Sequence, residues 1–200
     1  MRYQVSLLKD HERPGPLRLI EFCQRTLPNQ LHDGEFVYGT FLSLFGLASN
    51  ELYVVTCGSD TSKAQLPEGM SLSESHTCLP TVRPEEHKAL ETPGIYVFRW
   101  FNVYPGDVDE IVQLSNAAWP EFENSFETRV QGLFVEEDET PEQMLLITWY
   151  KDLSVWEASR HPPEVSRDNF LRRHQLTRQA RPIATMLSVH DQKKGLVSHS

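Results

Sequence analysis

Apolar and polar residues alternate with a period of two from the first residues of the chain. In RYQVSLLKD, Tyr3, Val5 and Leu7 alternate with Gln4, Ser6 and Leu8, which predicts a strand with one buried face. A second run of this kind, Tyr96 to Tyr104, is rich in aromatic and β-branched residues and also reads as a strand. Pro105-Gly106 then supplies a turn, and Asp107 with Glu110 three residues on reads as a capping box. Val108, Ile111, Val112, Trp119, Phe122 and Phe126 follow at helical spacing with a polar gap at Ser115, so one helix face packs on a sheet. Pro120 is expected to kink or restart that helix. Arg129 to Val135 and Met144 to Tyr150 predict two further strands, joined by the acidic turn EEDETPE.

Beyond them, Ser154 and Glu157 form another capping-box pattern, opening a short helix that Pro162-Pro163 must end. A helix over Glu164 to Gln179 directs Val165, Phe170, Leu171 and Leu176 inward, and Ile183 to Val189 reads as a closing strand. The order is β-α-β-β-α-β, which is ferredoxin-like.

The same pattern occurs earlier in the chain. Tyr3 and Tyr96, Gly39 and Gly132, and Leu52 and Leu145 are each 93 residues apart, which marks an internal repeat. The first half matches as far as Thr56 and then passes through a Ser/Pro-rich stretch to SHTCLPTVRP, its closing strand, with its second helix reduced to loop. The expected organisation is a degenerate first repeat over 1–84, a linker over 85–93, a second repeat over 94–190 and a polar tail over 191–200. The fold class is α+β: tandem ferredoxin-like repeats whose antiparallel sheets face each other or join into one barrel, with helices outside and a lumen between. Two repeats in one chain can do what single-repeat proteins do by dimerising, so the expected state is a monomeric internal pseudo-dimer or a homodimer.

Composition narrows the partners. The chain has 200 residues, 39% apolar and 24% charged, an ordinary globular balance. A net charge of -9 disfavours nucleic acid or an anionic membrane, because phosphate-binding surfaces need positive potential. Cys23, Cys57 and Cys78 are odd in number and lack a CxxC spacing, which suits reduced thiols and a reducing compartment. The amino terminus enters a strand directly with neither a signal core nor an amphipathic leader, and runs such as MLLI are too short to span a membrane. The expectation is a cytoplasmic protein without a membrane span.

The second half, from IYVFRWFNVYPGDVDEIVQLSNAAWPEFE through LLITWYKDLSVWEASR, resembles the NIPSNAP family through Tyr96, Arg99, Pro105, Gly106 and Trp119. The resemblance covers residues 94–190 and reaches 1–84 only through the repeat. It implies the dimeric α+β barrel superfamily, which also contains small monooxygenases, haem-degrading enzymes and stress-response proteins. NIPSNAP-type proteins themselves mostly lack a settled activity, so an undefined small-molecule binding role is the implied function. The first half departs from the pattern, since Ser6 stands where the offset would place an arginine.

Arg99 is the candidate centre of chemistry. With Tyr3, Val5 and Leu7 taken to face the helices, the offset places Tyr96, Phe98 and Trp100 there too and turns Arg99 and Phe101 into the lumen. The same polarity test turns Thr148 and Tyr150 inward. Arg99, Phe101, Thr148 and Tyr150 then line a ligand pocket, with Arg99 gripping a carboxylate, phosphate or enolate oxygen of an apolar small molecule. Their repeat partners, Ser6, Val55 and Cys57, make the site single. The competing reading is a structural arginine paired with Glu157 or Asp152.

An alternative is a cofactor-independent monooxygenase or isomerase, with His161 or Tyr150 as proton shuttle. A third is a protein-interaction module. His161 and His174 match no zinc spacing, so no metal site is expected. GxGxxG, GxxxxGK[ST] and GxSxG are absent, and no cofactor is expected. The basic run SRDNFLRRHQLTRQAR reads as a solvated helix face, and Cys57 as an inert buried thiol.

Overall fold

The computed structural model describes residues 1–60 and 62–189; the predicted polar tail over 191–200 lies outside them. Eight strands form one closed barrel: β1 (Arg2–Asp10), β2 (Phe36–Phe45), β3 (Glu51–Gly58), β4 (Met70–Arg83), β5 (Ile95–Val103), β6 (Thr128–Glu136), β7 (Gln143–Tyr150) and β8 (Thr177–Leu187). Their order around the barrel is β1-β3-β2-β8-β5-β7-β6-β4, and every pair is antiparallel. Each half contributes four adjacent strands in ferredoxin-like order, and the β2–β8 and β4–β6 pairings close the ring. Closure leaves no free sheet edge.

Helices lie outside. In the first half α1 (Leu17–Glu21) continues through a π turn and a 3₁₀ turn to Gln30 and buries Leu19, Phe22, Cys23 and Leu27 against the wall. In the second half α2 (Val108–Ser125) buries Ile111, Ser115, Ala118, Trp119 and Phe122, a stripe at helical spacing. Pro120 sits on its exposed side, and the helix runs through it. Two predicted caps differ. Asp107 precedes α2 without a side-chain capping bond. Asp152, not Ser154, caps α3 (Leu153–Ala158) by accepting from the Val155 amide at 3.0 Å. The last helix, α4 (Glu164–Gln175), ends four residues short of the expected Gln179, and β8 takes up the difference.

The lumen is a packed aromatic core. Tyr53 stacks on Phe98 at 4.9 Å, Phe41 meets Phe98 edge-on at 4.8 Å, and Tyr3 meets Phe134 at 4.7 Å. Tyr3, Val5, Leu7, Tyr96, Phe98, Trp100, Leu145 and Ile147 all belong to this cluster. The expected facing is therefore reversed: Arg99, Phe101, Thr148 and Tyr150 point outward to the helix layer, and the lumen holds side chains where a ligand cavity was expected. The reason lies in the first half, where no helix is described between β3 and β4. The outer face of β1 is left partly open there, and Gln4 bonds Ser75 and Thr77 across the bare wall. The polar face of that strand marks solvent, and its apolar face marks the lumen.

The repeat also needs one correction. Gly39 lies opposite Val55, and Gly132 opposite Ile147, so the third strands are offset by 92 residues. Thr148 corresponds to Thr56 and Tyr150 to Gly58, in place of Val55 and Cys57.

Both barrel mouths are spanned. At one, residues 84–94 cross the opening: the Leu90 amide donates to the Tyr38 carbonyl at 2.8 Å, and the Tyr3 hydroxyl bonds His87 Nδ1 at 2.8 Å. At the other, Arg181 on β8 reaches Glu74 on the diametrically opposite β4 at 2.9 Å.

Candidate functional site

The candidate site lies between the outer wall of the second half and its helices. Outward-facing residues of β5 run Ile95, Val97, Arg99 and Phe101, and neighbouring β7 adds Met144, Leu146, Thr148 and Tyr150. The four predicted site residues thus share one face, as expected, on the opposite side of the wall.

Helix α4 roofs this floor. Its inward residues are Ser166, Phe170 and Arg173, spaced four and three apart. The expected inward residues Val165 and Leu171 are 74% and 54% exposed. The Ser166 hydroxyl donates to the Ala118 carbonyl at 3.1 Å, and the small side chains there let α2 and α4 approach closely.

Arg173 is the residue that strand patterning does not find. It lies in the basic run read as solvated, yet it is only 9% exposed. Its Nη1 donates to the Ser115 hydroxyl at 3.2 Å, and its guanidinium lies 4.9 Å from the Phe170 ring and 5.6 Å from that of Phe101. Burial pulls its pKa down to about 10, with the charge of Arg99 adding to the effect. Its spacing from Ser166 and Phe170 is the one sequence signal that could have placed it inward.

Arg99 is half-buried, and no carboxylate among the described residues pairs with it or with Arg173. Other arginines are engaged: Arg83 holds Glu123, and Arg181 holds Glu74. The predicted pairing of Arg99 with Glu157 or Asp152 is not formed.

Tyr150 is buried beside Val97 and Phe122. His161 is exposed on the α3–α4 connection, and His174 is exposed on α4. Among the described residues, no group of three His, Cys, Asp or Glu side chains is arranged to hold a metal. Buried Cys23 and Cys78 have thiol pKa values raised to about 12 by burial, and burial also raises that of Cys57.

An open groove of 680 Å³ lies at the Ile95 end of the same face, lined by Leu44, Ile95, Leu153 and Met186 with Lys151 and Asp152 at its rim. No helix among the described residues is long and apolar enough to cross a membrane.

No known family profile matches the chain, and no curated protein matches its sequence. Several solved structures share its architecture. An anthrone oxidase-like protein superposes with a TM-score of 0.68 at 12% identity, covering 94% of this chain and 91% of the other. A mutant chlorite dismutase from Candidatus Nitrospira defluvii gives 0.58 at 9% identity, covering 94% and 91%. A Listeria monocytogenes ferredoxin-fold protein related to antibiotic biosynthesis monooxygenases gives 0.51 at 13% identity, covering 93% and 94%. The chain has the ferredoxin-like, dimeric α+β barrel fold, closed here within a single polypeptide.

Proposed function

We propose that the layer between the β5–β7 wall and helices α2 and α4 takes up a small, largely apolar molecule at Arg99 and Arg173, through an anionic or enolisable oxygen. The observation that carries this reading is the pair Arg99 and Arg173, two guanidiniums in one apolar layer without a carboxylate among the described residues. A buried cation costs several kcal/mol unless an anion meets it. A guanidinium offers a planar fork of donors suited to a carboxylate, phosphate or enolate. Ser115 occupies one donor of Arg173, and Phe101 and Phe170 form apolar walls around it. Thr148 and Tyr150 complete the floor. Residues 94–190, whose expected likeness to the NIPSNAP family no family profile supports, carry both arginines.

The test is calorimetric titration with 1-naphthoate and with its neutral counterpart 1-naphthalenemethanol. The acid binds at least tenfold more tightly, and Arg99→Gln or Arg173→Gln each removes about tenfold or more of that affinity, as lost charge-assisted hydrogen bonds do. Equal binding of acid and alcohol, or indifference to both substitutions, overturns the reading.

A second reading is oxygenation without a cofactor, favoured by the architecture shared with the anthrone oxidase-like protein. In it, Arg99 and Arg173 stabilise an enolate oxygen, and Tyr150 or His161 moves the proton. Anthrone supplies the test: with one O₂ it gives anthraquinone and one water. Oxygen consumption that disappears in Arg173→Gln supports this reading, and a rate equal to the protein-free rate rejects it.

A further inference from the structure

The outer face of β8 joins the sheet–helix layer to the groove. Opposite β5, Met186 pairs with Ile95, Ala184 with Val97, Pro182 with Arg99 and Ala180 with Phe101. Ala184 is half-buried, and Ala180, Pro182 and Met186 are exposed, so this strip of wall is open to solvent. Its side chains between Met186 and Arg99, Ala184 and Pro182, are small and apolar, and Ala184 packs at the edge of the cluster around Ile95, Val97 and Tyr150. At one end the strip enters the 680 Å³ groove of Leu44, Ile95, Leu153 and Met186. At the other end Pro182 lies beside Arg99. The two ends are four residues apart, about 13 Å along a strand.

The charges at the groove rim are already engaged. Lys151 holds Glu127 at 2.7 Å, and Asp152 caps α3. What the groove offers a ligand is therefore apolar surface, and the polar anchor is the distant guanidinium pair. A compact aromatic acid held at Arg99 would leave the groove unused. A ligand that uses both ends has an anionic head and an extended hydrocarbon body.

We propose that the β8 strip and the groove hold the hydrocarbon chain of a fatty acid whose carboxylate lies at Arg99 and Arg173. This rests on the reading of those arginines as an anion site and extends it to a class of ligand. Burial of each further methylene along the strip strengthens binding until the groove is filled.

The experiment is calorimetric titration with butyrate, octanoate and dodecanoate below their micelle concentrations, alongside dodecanol and 1-naphthoate. Affinity rises about two- to fourfold per added methylene, and dodecanol binds far more weakly than dodecanoate. Met186→Asp lowers dodecanoate affinity at least tenfold and leaves butyrate and 1-naphthoate unchanged. Met186 is exposed, so an unaltered melting temperature confirms that the variant folds. Arginine-dependent binding of 1-naphthoate with equal affinity for butyrate and dodecanoate overturns the fatty-acid proposal and leaves the anion site standing. Dodecanol binding as tightly as dodecanoate separates the groove from the arginines and also overturns the proposal. Failure of every carboxylate to bind overturns the anion site itself.

Discussion

Arg173 on α4 donates to the Ser115 hydroxyl on α2 at 3.2 Å, and no carboxylate among the described residues neutralises it. A neutral hydroxyl satisfies one donor and leaves the charge uncompensated. The rings of Phe101 and Phe170 offset part of the desolvation through their negative faces. Beside a second cation, Arg99, this arrangement is stable only at some expense, which the proposed anion would relieve.

Replacing the guanidinium by an apolar chain of similar length should therefore stabilise the ligand-free protein. Arg173→Met is expected to raise the unfolding free energy by about 1 kcal/mol, as buried charges replaced by packed apolar groups do. It should also abolish the stabilisation that 1-naphthoate gives the wild type. Urea denaturation with and without the acid measures both, and a variant destabilised by several kcal/mol would show that Arg173 is a structural element.

The bridge across the barrel mouth predicts a pH dependence. Hydrogen bonds from Arg181 hold the Glu74 carboxyl below its ordinary value, with burial opposing them. A depressed folded pKa contributes stability above the unfolded value near 4.5, and that stability is lost as pH falls through the lowered folded value. Because both side chains are partly exposed, Glu74→Gln should cost only about 0.5 kcal/mol at pH 7. The difference from wild type should shrink at pH 3, as read from urea midpoints at the two pH values.

The repeated glycines predict a packing defect. A Cβ on Gly132 would overlap the Phe134 ring, and one on Gly39 would lie 2.5 Å from Phe41 Cζ. Neither ring can yield, because each is fully enclosed in the lumen. Gly132→Ala should cost about 2 kcal/mol by overpacking, whereas Gly106→Ala, with open space around it, should change stability by less than about 0.5 kcal/mol. Chemical denaturation of the pair checks this.

The strap over the other mouth is held in part by the Tyr3–His87 hydrogen bond. Tyr3→Phe should lower stability by about 1 kcal/mol and speed tryptic cleavage at exposed Lys88. Limited proteolysis followed by intact-mass measurement reads the second effect directly.

Most of the architecture is legible in the sequence, because strand alternation and the paired glycines repeat at the positions the barrel needs. Tyr3 and Tyr96, and Gly39 and Gly132, do occupy equivalent places. Leu52 and Leu145 do not, since the first half is one residue longer between its second and third strands, and a slip of one moves a side chain to the other face. The grouping of Arg99, Phe101, Thr148 and Tyr150 follows from their shared parity alone. Which side of the wall they occupy does not, because polar residues on β1 mark an outer face that the described helices cover only in part, at Leu8. Arg173 escapes apolar periodicity because the roof of the layer uses Ser166 and Arg173 where a packed core helix would use aliphatic residues. Val165 and Leu171, which fit the apolar pattern, are left in solvent.

The most direct test of the anion site is a crystal structure of the protein with 4-iodobenzoate, whose iodine is located by anomalous scattering. The account predicts one molecule in the sheet–helix layer, its carboxylate within hydrogen-bond distance of both Arg99 and Arg173 and its iodine pointing toward the β8 strip. A ligand bound inside the barrel lumen, or one that touches neither guanidinium, would contradict it.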